Sequence, residues 1–565
     1  MHTLSAALGR FALAASLLAT LSSCMNKAGD AKGSPANENG GTMIESMPSD
    51  VVTLYPPAAM NSQDFVVINS IFDRLADIGD NLNTAGDSGF TKQLATGWKW
   101  AADSLSIAFF INPKARWHDG QPVQAKDVQF SFRAYADTTG ASAQPALVGN
   151  IDSVSTPDSL TAVVWYKRRS LRQFMEATYN MYILPEHRLG AVAPRDRLAS
   201  AFSKSPIGSG RFRFLNWDAG RQLQVVSDTS NYRGRAKLDR VIWSISGDFQ
   251  ASTLSTFAGE SDFYEKMSPD NLPAALKSST VRVVPYSQVG YSFLMFNLHA
   301  RKSRAAPHPI FGDIRVRQAL TMAVDRARVM RLALDTFATV SIGPAPRALI
   351  AYPDSVRQLP FDVAHAKALL DSAGWVTVPG KSTREKNGMP LAFEALVTSS
   401  SAPRVAYAQL LEQQWAAIGA KLTVRVLAAS VIGQQMGSHD FDAWFGAYTV
   451  TPGLAAVPAA WGSRGFTNGR NYGGYSNAQF DATVDSALNA PSAARANVLW
   501  VRALNVSNAD APALWMYEEQ SLGLLNRRIQ PKTLRRDAWY AYLADWTIDP
   551  AQRIDRDRIG LGVGR

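Results

Sequence analysis

The stretch WHDGQPVQAKDV, residues 117–128, changes structural habit midway. Asp119-Gly120 is a tight-turn pair. Asp127 then falls in the first turn of a predicted helix running on through QFSFRAYAD, where its charge suits the helix dipole. Before this stretch, SLSIAFFIN (104–112) reads as a strand. After it, RFRFLNWDAGRQLQVVSD (211–228) reads as a hairpin around Ala219-Gly220.

The same alternation continues outward. DVVTLYPP (50–57) reads as a short strand stopped by two prolines, and DFVVINSIFDRLADI (64–78) has apolar residues at helical spacing. DIRVRQALTMAVDRARVMRLAL (313–334) and VAHAKALLDSAGW (363–375) read as amphipathic helices, the second closed by Gly374. AYAQLLEQQWAAIGAKLTVRVL (406–427) reads as a helix followed by a strand. Helices and strands that alternate over a whole chain argue for α/β architecture. At 565 residues the chain exceeds what one core usually supports, so two or three lobes are expected. With 46% hydrophobic and 19% charged residues, it has the balance of a globular protein. The formal net charge is +11, but Lys and Arg are spread out. The densest short runs, RDRLASAFSK and KTLRRD, read as solvated surface, and nucleic acid is not an expected partner.

One cysteine, Cys24, stands in LLATLSSCMN (17–26). It has no second thiol for a disulfide or a metal cluster. Arg10 precedes the apolar run FALAASLLAT, of signal-peptide length and too short to span a bilayer. LSSC resembles the lipobox of bacterial lipoproteins, in which the peptidase cuts before the cysteine and the thiol takes a diacylglyceryl chain. The alternative is an ordinary secretory signal with an incidental cysteine. The expectation is therefore a signal peptide over 1–23, lipidation at Cys24, and a flexible Gly-, Ala-, Asn- and Ser-containing tether over 24–42. The folded body is expected from about Met43, outside the cytoplasm and held to a membrane.

Several segments, in order, resemble the extracytoplasmic solute-binding proteins of ABC importers, peptide/nickel-binding class (solute-binding protein family 5). They are WHDGQPVQAKDV, PIGSGRF (206–212), SNYRG with GESDF (230–234 and 259–263), VRQALTMAVDR (316–326), AKALLDSAGW (366–375) and NYGGYSNAQFD (471–481). The likeness runs from about Met43 to about Ile548. Gln124 departs from the hydroxyl residue usual at that helix cap, so a weaker cap is expected. The Gly208-Ser209-Gly210 bend is followed by a strand pattern rather than a helix, which argues against a dinucleotide site.

The resemblance implies a two-lobed fold of the large peptide-binding (type II) class, with an extra subdomain inserted in the first lobe. Lobe I would comprise 43–66, 200–289 and 513–565, the inserted subdomain 67–199, and lobe II 290–512. It implies a monomer that closes about a hinge on a small solute and presents it to a permease powered by separate ATPase subunits. No cofactor, metal or catalytic residue is implied. Peptide binders of this class hold the ligand's α-amine with an aspartate in a Gly-Trp-x-x-Asp segment. Here FDAWFGAYTVTPG (441–453) puts Tyr448 and Thr451 at the tryptophan and aspartate places. Asp50 stands near where the family often has an acid facing the same amine. Tyr448, Thr449, Trp461, Asn471, Tyr472 and Tyr475 complete the expected ligand set, as rings, amides and hydroxyls suited to a peptide or a sugar.

Other readings have less behind them. GDSGF (86–90) echoes a protease nucleophile segment, but the only histidine upstream of Ser88 is His2. There is no HExxH and no GxSxG, so an enzyme is not expected. An oligosaccharide carrier, a metal-chelate carrier and a non-transporting receptor remain open alternatives.

Overall fold

The computed structural model describes residues 39–558, apart from 141, 288, 400 and 451. The signal segment and Cys24 lie outside the described residues. The architecture is organised by three strands. Val281–Ser287 and Gly290–Phe296 follow one another in the chain, and Ala513–Asn526 runs antiparallel to both. Val281 faces Asn526 and Ser287 faces Gln520; beyond a register shift, Phe293 faces Trp515 and Met295 faces Ala513.

On one side, Ala513–Asn526 continues through Phe263–Tyr264, Thr42–Met47, Arg240–Ile245, Gln222–Ser227 and Phe212–Asp218. On the other, Gly290–Phe296 leads to Ala443–Thr449, Ala392–Thr398 and Lys421–Leu427. The parallel pair Ala392–Thr398 and Lys421–Leu427 is connected by the helix Ala402–Ala416, a βαβ unit. A separate four-stranded sheet, Ala95–Trp100, Ser106–Ile111, Thr161–Tyr166 and Ile151–Ser155, is covered by the helix Ala125–Tyr135. No helix of the described residues is long and apolar enough to cross a membrane.

Two sequence motifs prove to be one contact. The Gly120 turn (φ +88°) closes with Trp117 N–H donating to the Gln121 carbonyl at 2.8 Å. The neighbouring His118 grips the glycine bend: its Nε2 lies 2.9 Å from the Gly210 carbonyl, and Gly208 N–H donates to its Nδ1 at 3.2 Å. Gly208 is needed for proximity, since a Cβ there would stand 1.9 Å from the Ile71 carbonyl oxygen. The weak cap expected at Gln124 is reinforced from within the helix. Asp127 accepts from Gln124 N–H at 2.8 Å and also from Glu186 N–H at 2.9 Å.

Three expectations are corrected. Residues 50–57 are not a strand. Their backbone groups go to side chains and loops instead of a ladder, with Val52 N–H donating to Asp64 and Leu54 N–H to the Ser203 carbonyl. The apolar segment 64–78 is a helix only through Ile71, and its end contributes the short strand Ala76–Ile78. The stretch 313–334 is two helices, Ile314–Met322 and Arg326–Leu334. Asp325 caps the second by accepting from Arg328 N–H at 3.0 Å, a device that periodicity alone passes over.

Glu518 lies buried in the long strand, accepting from Arg347 N–H at 3.0 Å. Burial lifts its carboxyl from 4.5 to about 7, and Arg347 opposes this only in part. The folded protein thus keeps a proton that the unfolded chain has released. Stability tied to that proton is complete below about pH 4.5 and is lost as the pH rises through about 7. Glu518→Gln should therefore match the wild type in acid and exceed it above neutrality, by about 3 kcal/mol. Paired denaturant titrations across this pH range measure the difference; parallel curves at every pH would refute it.

Candidate functional site

Two adjoining cavities open where the three crossing strands, the helix Ser62–Ile71 and the segment 535–540 converge. The larger, of about 420 Å³, is lined from four directions: Phe65 and Asn69; Tyr135, Gln144, Tyr179 and Tyr182; Thr449, Val450 and Pro452; Arg535, Asp537 and Tyr540. The smaller, of about 130 Å³, shares Ser62, Thr449, Val450, Asp537 and Tyr540 with it and reaches inward to Glu45, Glu265 and Val289. A third cavity, of about 380 Å³, lies between the loop 81–85 and the segments 348–351, 453–454 and 487–500. Its walls include Leu82, Leu349, Leu454 and Trp500.

The wall of the larger cavity rests on a buried ion network. Arg535 donates to Asp77 at 3.0 Å, to the Ile78 carbonyl at 2.6 Å and to Asp537 at 2.7 Å. Arg74 meets the same Asp77 at 3.1 Å and donates to the Tyr182 hydroxyl at 2.6 Å. Tyr179 donates to Asp537 at 2.6 Å, and Tyr182 to Asn69 at 3.2 Å. The Arg74 guanidinium also lies over the Tyr182 ring at 4.0 Å. Burial pushes the Asp77 carboxyl up, but Arg74 and Arg535 more than offset it and hold it below the usual range. Burial raises the Tyr182 hydroxyl to about 12, so it stays a neutral donor. Two arginines and two carboxylates leave the network neutral, with its aromatic and amide surfaces turned to the cavity.

Of the residues singled out in the sequence, only Thr449 lines this cleft. Thr451 lies outside the described residues; Val450 and Pro452 on either side of it line the larger cavity. Asp50 lines neither cavity. Its carboxylate accepts from Trp217 Nε1 at 3.0 Å and Gly220 N–H at 2.7 Å, pinning the tip of the 212–227 hairpin. Tyr448 and Trp461 pack with Phe293 in the core; the Tyr448 hydroxyl donates to the Arg470 carbonyl and Trp461 Nε1 donates to Tyr291. Asn471 staples its own loop through the Gly462 and Tyr475 carbonyls, and the Tyr475 hydroxyl donates to Asp510. Tyr472 is half-buried against the edge of Trp444. These side chains hold the core and their own loops rather than face the cavity.

The cleft residues that sequence reading missed come from segments far apart in the chain. One signal was available. KTLRRD, read as solvated surface, contains Arg535, which is only 3% exposed. The run RRDAWYAYLADW (535–546) places charge inside an aromatic-rich stretch, a combination that favours buried, paired charge. Among the described residues no group of three or more His, Cys, Asp or Glu side chains could hold a metal ion.

The description "bacterial extracellular solute-binding proteins, family 5 Middle" belongs to the family profile that matches residues 89–465, well over half of the chain. The chain therefore belongs to this family. It is 25% identical over 400 residues to the oligopeptide-binding protein AppA of Bacillus subtilis, covering 70% of this chain and 72% of that protein. The solved structure of that AppA in complex with a nonapeptide has a TM-score of 0.74 at 21% identity, covering 90% of this chain and 99% of the other. NikZ from Campylobacter jejuni in complex with Ni(L-His) has a TM-score of 0.75 at 20% identity, covering 91% and 100%. The fold is the two-lobed one of these binding proteins, and the relatives are solute-binding proteins rather than enzymes. Members of the family act outside the cytoplasm.

Breaking a buried pair leaves a charge with no compensation, at a cost of about 3–5 kcal/mol. Arg535→Met should destabilise the protein by that order, because Asp77 and Asp537 both lose a partner. Tyr182→Phe removes one neutral hydroxyl and should cost about 1 kcal/mol. Thermal melts of the two variants check the ranking, and a mild Arg535→Met would show that the network is solvated.

Proposed function

We propose that this chain is the solute-capturing component of an ABC importer and takes an oligopeptide-like solute into the cleft of the two adjoining cavities. The observation that carries this is the composition of the larger cavity. Its volume falls within the range of about 300–1,000 Å³ usual for ligand pockets. Apolar Phe65, Val450 and Pro452 alternate around it with amides of Asn69, Gln144 and Asn180 and hydroxyl-bearing rings. Apolar walls suit side chains, and amides suit the peptide groups between them. The oligopeptide-binding relative supports the same class.

The remaining parts of the proposal rest on sequence. Lobe I comprises 43–66, 200–289 and 513–565, with 67–199 inserted, and lobe II comprises 290–512. Within Ala513–Asn526, a handover between lobes near Glu519 is supported by the pairing of residues up to Glu519 with Gly290–Phe296 and Ala338–Val340. Ligand that touches both lobes only in a closed form shifts the population toward closure. Cys24 carries the lipid that holds the protein at the membrane, and the closed form delivers its solute to the permease.

Calorimetry with tri- to pentapeptides tests the ligand class. Thr449 is exposed and borders both cavities, so Thr449→Trp should fill the entrance and weaken peptide binding by about tenfold or more while leaving the melting temperature nearly unchanged. Heat from oligosaccharides and none from peptides would replace the peptide reading with the sugar one. Scattering with a bound ligand should give a smaller radius of gyration than without it. Cys24→Ala should move the protein from the membrane fraction to the soluble one with ligand binding intact; retention on membranes through a high-salt wash would defeat the anchor.

A further inference from the structure

Eight non-glycine residues among those described have positive φ, and only two of them are large and apolar: Leu82 at +51° and Leu454 at +55°. Such a backbone is unfavourable for a residue with a Cβ. The two leucines are far apart in the chain, yet both border the third cavity, and both are buried, at 5% and 4% exposed. The proposed lobe division assigns the loop 81–85 and the segment 168–175 to the inserted subdomain. It assigns 348–351, 453–454 and 487–500 to the second lobe. The cavity is then the gap in a seam between these two bodies. Two direct contacts cross the seam. Gly453 (φ +101°) lies so close to the inserted subdomain that a Cβ on it would stand 3.3 Å from Met175 Sδ and 3.3 Å from Thr84 Oγ1. At the surface, Arg168 Nη1 donates to Asn489 Oδ1 at 2.6 Å.

We propose that this seam is a reversible closure latch, made when the lobes close and parted when they open, with Leu82, Gly453 and Leu454 as its facing parts. The proposal rests on the hinge-closure reading and adds to it a contact between moving bodies. Its residues line neither solute cavity. Three arguments support it. First, a backbone conformation that is unfavourable in itself persists only where its surroundings over-determine it, and such residues cluster at clamps and switches. Here one strained leucine stands on each side of the same gap, so parting the seam frees both backbones. Second, the packing is incomplete. The apolar walls, among them Leu171, Leu349 and Trp500, meet around a space of about 380 Å³. An interdigitated core would hold the bodies together for good, whereas surfaces that meet around a gap make fewer dispersion contacts and part more readily. Third, Arg172 borders the gap and opposes closure. Its Nε is shielded from solvent and, among the described residues, has no hydrogen-bond partner.

The latch therefore has terms of both signs. Apolar burial along the walls and the bond from Arg168 to Asn489 favour the closed form. The two strained leucines and the dehydrated guanidinium of Arg172 favour the open one, in which water reaches Arg172 again. Opposed terms bring the two states close in free energy, and a solute that contacts both lobes then needs only a small differential affinity to move the population.

The test is the distance between the two bodies, read first without any solute. Nitroxide labels go on Ser153→Cys and Ala494→Cys, both at exposed positions, in a Cys24→Ala background that removes the chain's one cysteine. Pulsed electron spin resonance then gives the distribution of distances. Gly453→Val puts branched carbons against Met175 and Thr84 and should move the population from the shorter to the longer distance by about tenfold or more. Arg172→Met keeps the apolar stem, deletes the guanidinium and should move it the other way, which keeps the test open if Gly453→Val does not fold. A seam that is only static packing would lower the melting temperature of Gly453→Val and leave the distances alone. Distributions that match the wild type in both variants, or shifts opposite to these, overturn the latch. Ala-Ala-Ala added to the labelled wild type separates that failure from failure of the closure reading. A distance that shortens with the peptide while both variants match the wild type leaves closure standing and removes the latch. Variants that shift as expected while the peptide changes nothing keep the latch and count against the peptide reading.

Discussion

The strand Ala513–Asn526 is the constraint on which the rest depends. It satisfies its backbone against two consecutive strands, Val281–Ser287 and Gly290–Phe296, and so stitches two sheets into one hydrogen-bonded array. Its sequence shows how. LWMY (514–517) and LGLL (522–525) are the buried runs expected of strands covered on both faces. EEQS (518–521) interrupts them, and Glu519 is exposed. The polar interruption falls where the strand leaves one core for the other. A slip along the strand would carry the exposed Glu519 into one of the two cores, so the polar interruption fixes the register of both halves on a single strand.

That arrangement explains why the cavities lie where they do. The crossing strands bring the ends of both sheets together, and Val289, between two of the strands, borders the smaller cavity. The wall opposite is made by residues 535–540, which return from late in the chain to meet Asp77 and Ile78. Asp77 and Arg535 are 458 residues apart and meet at 3.0 Å. Desolvating such a pair offsets most of its Coulombic gain, so the network adds little net stability. Its effect is on placement. Asp77, Asp537, Asn69 and two tyrosine hydroxyls receive or donate in one arrangement, and that arrangement seats the 535–540 segment against the rings of Tyr179 and Tyr182.

Local signals in the sequence were read well where one residue type decides the outcome. Gly220 turns the 212–227 hairpin at φ +76°, and Gly374 ends the helix Val363–Ser372 at φ +84°. These positions require positive φ, and glycine supplies it. Periodicity failed where tertiary partners decide. Leu54 and Tyr55 are fully buried and read as strand, yet their segment hydrogen-bonds to Asp64 and Ser203, neighbours that composition does not reveal. The division at Asp325 was missed because apolar spacing runs straight through it.

The cleft was harder to read than the fold, for a physical reason. Aromatic residues mark binding sites and cores alike, and Ala443–Thr449 is covered on both faces. Tyr448 packs with Phe293, while Phe445, on the other face, packs with Tyr407 and Tyr517. Alternation therefore gives no direction from core to cleft there, and Trp461 and Tyr475 mislead in the same way. Charge is the better guide, because an apolar core has no use for an ion. Glu45 breaks the stripe of Met43 and Met47, and Arg535 and Asp537 break an aromatic run. All three are readable as misfits in a sequence whose pattern is otherwise consistent, and all three border the cavities. Arg535 and Asp537 compensate one another and hold a wall. Among the described residues Glu45 has no charged partner of opposite sign, and burial, with the charge of Glu265 beside it, pushes its carboxyl well above the ordinary range, which Trp243 offsets only in part.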